Sequence, residues 1–180
     1  NTGQIAGNGI TDIKASDRAL WFGTGNGLSR TLDQGQPIQS FGSSDGLPRG
    51  SISALWVRGD SLWVAAASDT MTDISDNPLT MGTGLAFSTD HGDTWTRLPQ
   101  PGETPVQNVT YDLAVFQGTV WITSFGGGIR RSDDWGETWE IAPPDTFVFN
   151  PGRNLNHRGF SAEATSEAIW IGTAGGINKS

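Results

Sequence analysis

Cysteine is absent from these 180 residues, which excludes a disulfide framework and any thiolate-ligated metal. Positive charge is scarce too: 11 Lys+Arg stand against 19 Asp+Glu, a net charge of −8, and the lysines are Lys14 and Lys179 alone. Affinity for nucleic acid needs clustered Lys and Arg to displace counterions, so that class is excluded, and the same acidity disfavours anionic membrane surfaces. No apolar run approaches the roughly 18–20 residues that span a bilayer, so direct membrane insertion is not expected. No segment of ten or more residues carries a 3.6-residue period, so little helix is expected. The chain opens on Asn1 rather than Met. Such a start is expected where a leader has been removed or where the chain is an excised piece, and the missing cysteines fit the expectation of an extracytoplasmic protein, periplasmic, secreted or on the cell surface.

What is abundant is glycine, 25 of 180 residues or about twice the average share, spread evenly with other turn formers. Self-similarity accounts for that spread. A four-residue core recurs as Leu20-Trp21-Phe22-Gly23, Leu62-Trp63-Val64-Ala65, Val120-Trp121-Ile122-Thr123 and Ile169-Trp170-Ile171-Gly172. The spacing of these tryptophans approximates the ~40–50 residues of one propeller blade. Each copy reads as an apolar or alternating strand, a polar turn, the Trp strand, a Gly-rich turn and a third strand. The glycine turns are placed at Gly25-Asn26-Gly27, Gly82-Thr83-Gly84, Gly126-Gly127-Gly128 and Gly175-Gly176. The expectation is an all-β, propeller-type single domain over 1–180. Its blade repeats lie at about 10–48, 51–101 and 109–145, with a partial fourth at 159–180. Ser180 aligns with Thr31, Ser88 and Ser132, so three complete antiparallel units and an incomplete fourth are expected. An unpaired sheet edge aggregates unless covered. Either a longer polypeptide or a partner protein is therefore expected to cover it.

After the third strand, Ser88-Thr89-Asp90-His91-Gly92-Asp93-Thr94-Trp95 and Ser132-Asp133-Asp134-Trp135-Gly136-Glu137-Thr138-Trp139 share the pattern Ser-x-Asp-x-Gly-x-Thr-Trp, with Asp33 and Gly35 in a degenerate copy. This pattern resembles the Asp-box, or bacterial neuraminidase repeat, which implies a β-propeller with a hairpin closing strands three and four. Physically, the Asp carboxylate can accept backbone N–H bonds, the Gly supplies positive φ and the Trp packs beneath. The role expected for Asp33, Gly35, Ser88, Asp90, Gly92, Trp95, Ser132, Asp134, Gly136 and Trp139 is structural. The phrases at 20–28, 41–48 and 169–177 resemble the propeller repeats of bacterial two-component sensors, whose kinase segments these 180 residues do not contain. Propellers resembling this one also serve as assembly factors for photosynthetic complexes.

A sialidase site is not expected: the single tyrosine, Tyr111, reads as a residue lining the inner strands, and only Asp12 and Asp112 lie on inner strands as candidate carboxylates. His91 reads as a solvated turn residue, and no phosphate loop, nucleophile elbow or His-Glu-x-x-His is present. No catalytic residue, cofactor or metal ligand is assigned. Asp69, Asp73 and Asp76 could offer oxygen ligands to calcium, but their spacing matches no known loop. Function is expected on the long loops, 66–82, 97–108 and 143–158. The candidate partner-binding residues there are Met71, Met81, Phe147, Phe149, Arg153, His157 and Arg158, with the phenylalanines as anchors and the arginines as rare positive charge. The functional expectation is a non-catalytic extracytoplasmic interaction module or accessory subunit of a larger assembly. The alternatives are a glycan-binding or sialidase-like fragment and the sensor domain of a two-component receptor.

Overall fold

The computed structural model describes residues 3–32, 37–102 and 108–180. Fifteen strands fall among them, in four sheets. The first sheet holds β1 (Ile10–Ala15), β2 (Ala19–Thr24), β3 (Gly27–Leu32) and β4 (Ile38–Phe41). The second holds β5 (Ser51–Arg58), β6 (Ser61–Thr72), β7 (Ser75–Ser88) and β8 (Thr96–Leu98). The third holds β9 (Thr110–Phe116), β10 (Thr119–Ser124), β11 (Gly128–Ser132) and β12 (Glu140–Ile141), and the fourth β13 (Gly159–Ala164), β14 (Ile169–Thr173) and β15 (Gly176–Lys179). Within each sheet the strands neighbour one another in chain order, the meander expected from short turns between apolar runs. Among the described residues helix is confined to two short 3-10 turns, Ser43–Asp45 and Leu155–His157.

One expectation needs correcting at this level. Residues 66–82 are not a loop, because β6 and β7 run on to a turn at Asp73-Ile74, and Gly82-Thr83-Gly84 lies inside β7. Thr70, Thr72, Thr80 and Thr83 of this stretch favour extended backbone on both sides of the turn, and its glycines and Pro78 do not interrupt it.

The chain divides into two compact units, Asn1–Thr70 with Thr83–Pro99, and Met71–Gly82 with Gln100–Ser180. In the first, Trp21, Leu28, Leu47, Ile52, Leu55 and Leu62 form a core with no exposure at all. Leu62 to Ala66 are all fully buried, which suits an apolar strand covered on both faces. Residues 3–6 run beside the first sheet: Gly3 N–H donates to Ile38 O at 2.7 Å and Ala6 N–H to Ser29 Oγ at 2.8 Å. In the second unit the core is built by Leu113, Val120, Ile122, Ile129 and Ile169.

Three of the four repeat tryptophans share a cross-strand register, but the four differ in burial. Trp21 pairs with Arg30, Trp121 with Arg131 and Trp170 with Lys179 across the second and third strands. Trp21 and Trp63 are fully buried, whereas Trp121 and Trp170 are half-buried under the cation of their cross-strand neighbour. A second shared feature is a register slip between the first two strands of every sheet, which sets Thr11, Ser53, Tyr111 and Phe160 as the extra, bulged residue. A bulge re-aims the side chain it carries.

Candidate functional site

The two Ser-x-Asp-x-Gly-x-Thr-Trp segments fold into the same turn. Ser88 Oγ donates to Asp90 Oδ1 at 2.7 Å, Gly92 N–H to Ser88 Oγ at 2.8 Å, Thr94 N–H to Asp90 Oδ1 at 2.9 Å and Thr94 Oγ1 to Asp90 Oδ2 at 2.5 Å. The matching bonds around Asp134 run from Ser132, Gly136 and Thr138 at 2.7, 2.7, 2.9 and 2.5 Å. These donors, led by the threonine hydroxyl in each turn, hold both carboxyls down to about 2. Gly92 has φ +81° and Gly136 φ +90°, and the residues before them, His91 and Trp135, also take positive φ. In the first unit the turn closes on the neighbouring sheet: a β-carbon on Gly92 would lie 2.7 Å from Trp21 Cη2 and 3.1 Å from Trp95 Cζ2. Arg30 anchors it from below, donating to His91 O and, at 3.2 Å, to Asp93 Oδ1. His91 is consequently no solvated turn residue; its side chain is mostly buried, 3.7 Å from Asp60 and tilted over the Trp21 ring. Trp139 Nε1 donates to Gly136 O at 3.0 Å in the other turn. Asp33 and Gly35 lie outside the described residues, as do 103–107 of the loop expected at 97–108.

Of the expected contact residues, Met71 is exposed and Met81 half-buried on the two strands of the β6–β7 hairpin rather than in a loop. Asp69, Asp73 and Asp76 lie on the same hairpin, and among the described residues no group of three or more His, Asp or Glu comes together as a metal site. The loop 143–158 is a loop apart from its 3-10 turn, and it divides its side chains sharply. His157 is fully buried, so it is corrected from a contact residue to the pin of the loop. Its Nδ1 accepts the Asn150 N–H at 2.8 Å, which leaves Nε2 to donate to Asp145 Oδ1 at 2.9 Å and holds the Asp145 carboxyl below its usual range. Phe149 stacks on the His157 ring at 5.5 Å and is half-buried, so it tucks under its own loop. Phe147 and Val148 stand out from it, 70% and 90% exposed. Arg153 is exposed, whereas Arg158 donates to Pro151 O at 2.5 Å and Gly152 O at 3.1 Å, with its guanidinium 5.1 Å from the Phe125 ring.

That ring leads to an aromatic cluster which periodicity alone does not show. Phe125 meets Phe160 edge-on at 6.0 Å, and Phe160 stacks on Tyr111 at 5.8 Å with 28° between the planes. Tyr111 and Phe160 are both exposed, each on the first strand of its sheet. The reason is the bulge: both are the extra residue of their strand pair, turned out where Thr11 and Ser53 stand in the first two sheets. The available signal was the broken alternation at Tyr111-Asp112 and Phe160-Ser161. Asp112 beside Tyr111 serves as a strut, accepting from Leu113 N–H at 2.9 Å and Ala162 N–H at 3.0 Å. Asp12 in the other unit accepts from Ile13 N–H at 2.7 Å and faces Lys14 at 3.9 Å. Phe147, Val148 and Arg153 on the loop, with Tyr111, Phe125 and Phe160 beside Arg158, therefore give the second unit an apolar and cationic surface in an acidic protein.

No protein-family model matches the chain, and no curated protein matches it. Solved structures do. A GH74 xyloglucanase from Xanthomonas campestris superposes with a TM-score of 0.64 at 20% identity, over 97% of this chain and 29% of that one. YCF48 bound to a D1 peptide gives 0.53 at 19% identity, over 100% and 66%. The extracellular domain of a one-component system protein from B. thetaiotaomicron gives 0.58 at 16% identity, over 96% and 27%. The chain thus spans under a third of two of these proteins and about two thirds of the other. At such identities the likeness is one of fold, and with the four antiparallel meander sheets it makes the chain a β-propeller, whole or partial.

Proposed function

We propose that this chain is a non-catalytic, extracytoplasmic protein-interaction module, an accessory subunit of a larger assembly, and that its docking face is the aromatic cluster with the neighbouring loop 143–158. The observation that carries the reading is the bulge pair. Two equivalent backbone irregularities present Tyr111 and Phe160 to solvent as a stacked pair, a costly arrangement for rings that a core would bury. Aromatic side chains with an adjacent arginine match the composition of interface hot spots. The rigid pinning of the loop by His157 lowers the ordering cost of binding. The turns at Asp90 and Asp134 are assigned to the Asp-box repeat, with a purely structural role. YCF48, a fold neighbour, has been solved with a D1 peptide, and another neighbour is an extracellular domain; both are compatible with this reading.

A second reading, glycan binding, draws on the same stacked rings, since exposed aromatic faces also receive sugar rings, and on the xyloglucanase neighbour. One experiment separates them. A photo-crosslinking residue at Phe147 or Phe160, introduced in the source cells, is expected to yield one discrete protein adduct, with none from the same probe at Leu32. Adducts absent at both face positions, together with retention on a glycan array that Tyr111→Ala abolishes, would transfer the face to glycans.

A further inference from the structure

The loop 143–158 closes on a single lone pair. Asn150 offers a backbone N–H, which can only donate, so Nδ1 of the buried His157 ring carries no hydrogen where it accepts that group at 2.8 Å. The one ring hydrogen of the neutral imidazole is then on Nε2, facing Asp145 Oδ1 at 2.9 Å. Asp145 is fixed from other sides as well: Oδ1 accepts the Phe147 N–H and Oδ2 a side-chain hydrogen of Asn154, both at 3.0 Å. Asn150 in turn holds the bend that follows it, its carbonyl accepting from the Arg153 and Asn154 N–H groups at 3.2 and 2.9 Å. Between the Asp145 and Asn150 clamps run Phe147, Val148 and Phe149, the last stacked on the imidazole and seated on Gly128, which leaves no room for a β-carbon.

A second proton on this ring has one place to go, Nδ1, and there it meets the Asn150 N–H, donor against donor. Proton uptake and the closed loop exclude each other at that atom, whereas the Asp145 contact survives as a charge-assisted bond. The surrounding charges leave the choice to these two contacts. Within the loop, Arg158 is turned to Pro151 O and Gly152 O, and Arg153 is exposed. On β11, Arg130 lines with Phe149 a cavity of about 300 Å³, and Arg131 is paired with Glu140. From β14, which packs on the 3-10 turn, Thr173 donates to Asn156 Oδ1 at 3.0 Å and brings no charge. Asp145 itself does not switch, because the hydrogen bond from His157 holds its carboxyl below the usual range.

We infer that His157 is a proton switch for this loop: as the pH falls from about 8 to 5, Nδ1 takes up a proton, lets go of the Asn150 N–H and frees Phe147 to Asn150 from the third sheet. The closed loop is the neutral form and the open loop the acid form, so the loop side of the docking face is assembled above the histidine range and dismantled below it. That regulatory sense rests on the reading of the loop as part of a docking face. The opening itself needs no partner, so the switch and the docking face fail separately.

The test is NMR on the whole isotope-labelled 180-residue chain at falling pH. The His157 ring nitrogens report tautomer and proton uptake, and exchange of the Asn150 amide, corrected for the intrinsic effect of pH, reports the loop. Between about pH 8 and 5 the ring is expected to gain a proton at Nδ1 while protection of Asn150 falls at least tenfold, and Leu113, in the core of the same unit, keeps its protection. In His157→Gln the side-chain oxygen can accept from Asn150 and the amide can donate to Asp145, so Asn150 protection should be constant over the same range. Proton uptake with Asn150 still protected, a ring that stays neutral throughout, or a parallel loss of protection at Leu113 overturns the inference, and each is read on the parent chain alone.

Discussion

Asp90 and Asp134 carry the acid sensitivity of the fold at the level of single residues. Each ionises at about 2 in the folded chain against an ordinary 3.8, so between these values the unfolded chain binds more protons than the folded one. Their stabilisation is complete above about pH 4 and is lost as the pH falls through 2. Thermal melts are expected to show a shallower decline of Tm between pH 4 and 2 in Asp90→Asn/Asp134→Asn than in the parent; parallel slopes would contradict the assignment. Gly92 carries a different constraint, positive φ together with the closeness of Trp21. Gly92→Ala should cost roughly 1–3 kcal/mol in denaturant unfolding, from strain and displaced packing together. The Ser-x-Asp-x-Gly-x-Thr-Trp spacing made this turn legible in the sequence, because all its bonds are local. The positive φ of His91 and Trp135 was not legible, since neither residue type announces it.

Strands and loops show how equal sequence patterns reach unequal environments. Trp21 and Trp170 hold the same position in their repeats, but one is sealed in a core and the other is half-buried beneath Lys179. Trp21→Ala is therefore expected to cost about 3–5 kcal/mol, and Trp170→Ala roughly 1–2 kcal/mol, a difference readable in urea unfolding midpoints. In the loop 143–158, His157→Leu would take the acceptor from the Asn150 N–H and release Asp145, at a cost of roughly 1–3 kcal/mol. Phe147→Ser should leave the melting temperature unchanged, because its ring touches little. Composition identified this loop, and could not sort Phe147 from Phe149, since that depends on where the His157 ring stands. The β6–β7 hairpin departs from its local pattern for a similar reason: glycines at 82 and 84 signal a turn locally, but extended pairing of β6 and β7 overrides them.

For the molecule as a whole, the net charge of −8 and pI near 4.5 govern solution behaviour. Solubility is expected to pass through a minimum close to pH 4.5, where self-repulsion vanishes and exposed Phe147, Val148 and Ile177 are free to associate. Turbidity against pH checks this, and a minimum displaced by more than about one unit would point to association through some other surface.

Four copies of an apolar, Trp-centred strand between turn formers were enough to determine four β-meanders, because pairing of adjacent strands depends on alternation and turns that are local in the chain. The Asp-anchored turns were determined in the same way. What only the tertiary structure decided was which side chains face water. The bulges at Tyr111 and Phe160 come from a one-residue slip between paired strands, a property of two segments together rather than of either alone. The burial of Leu28 and Leu85 likewise depends on Phe41 and Leu98 of the strands that pair alongside, which no residue within β3 or β7 encodes.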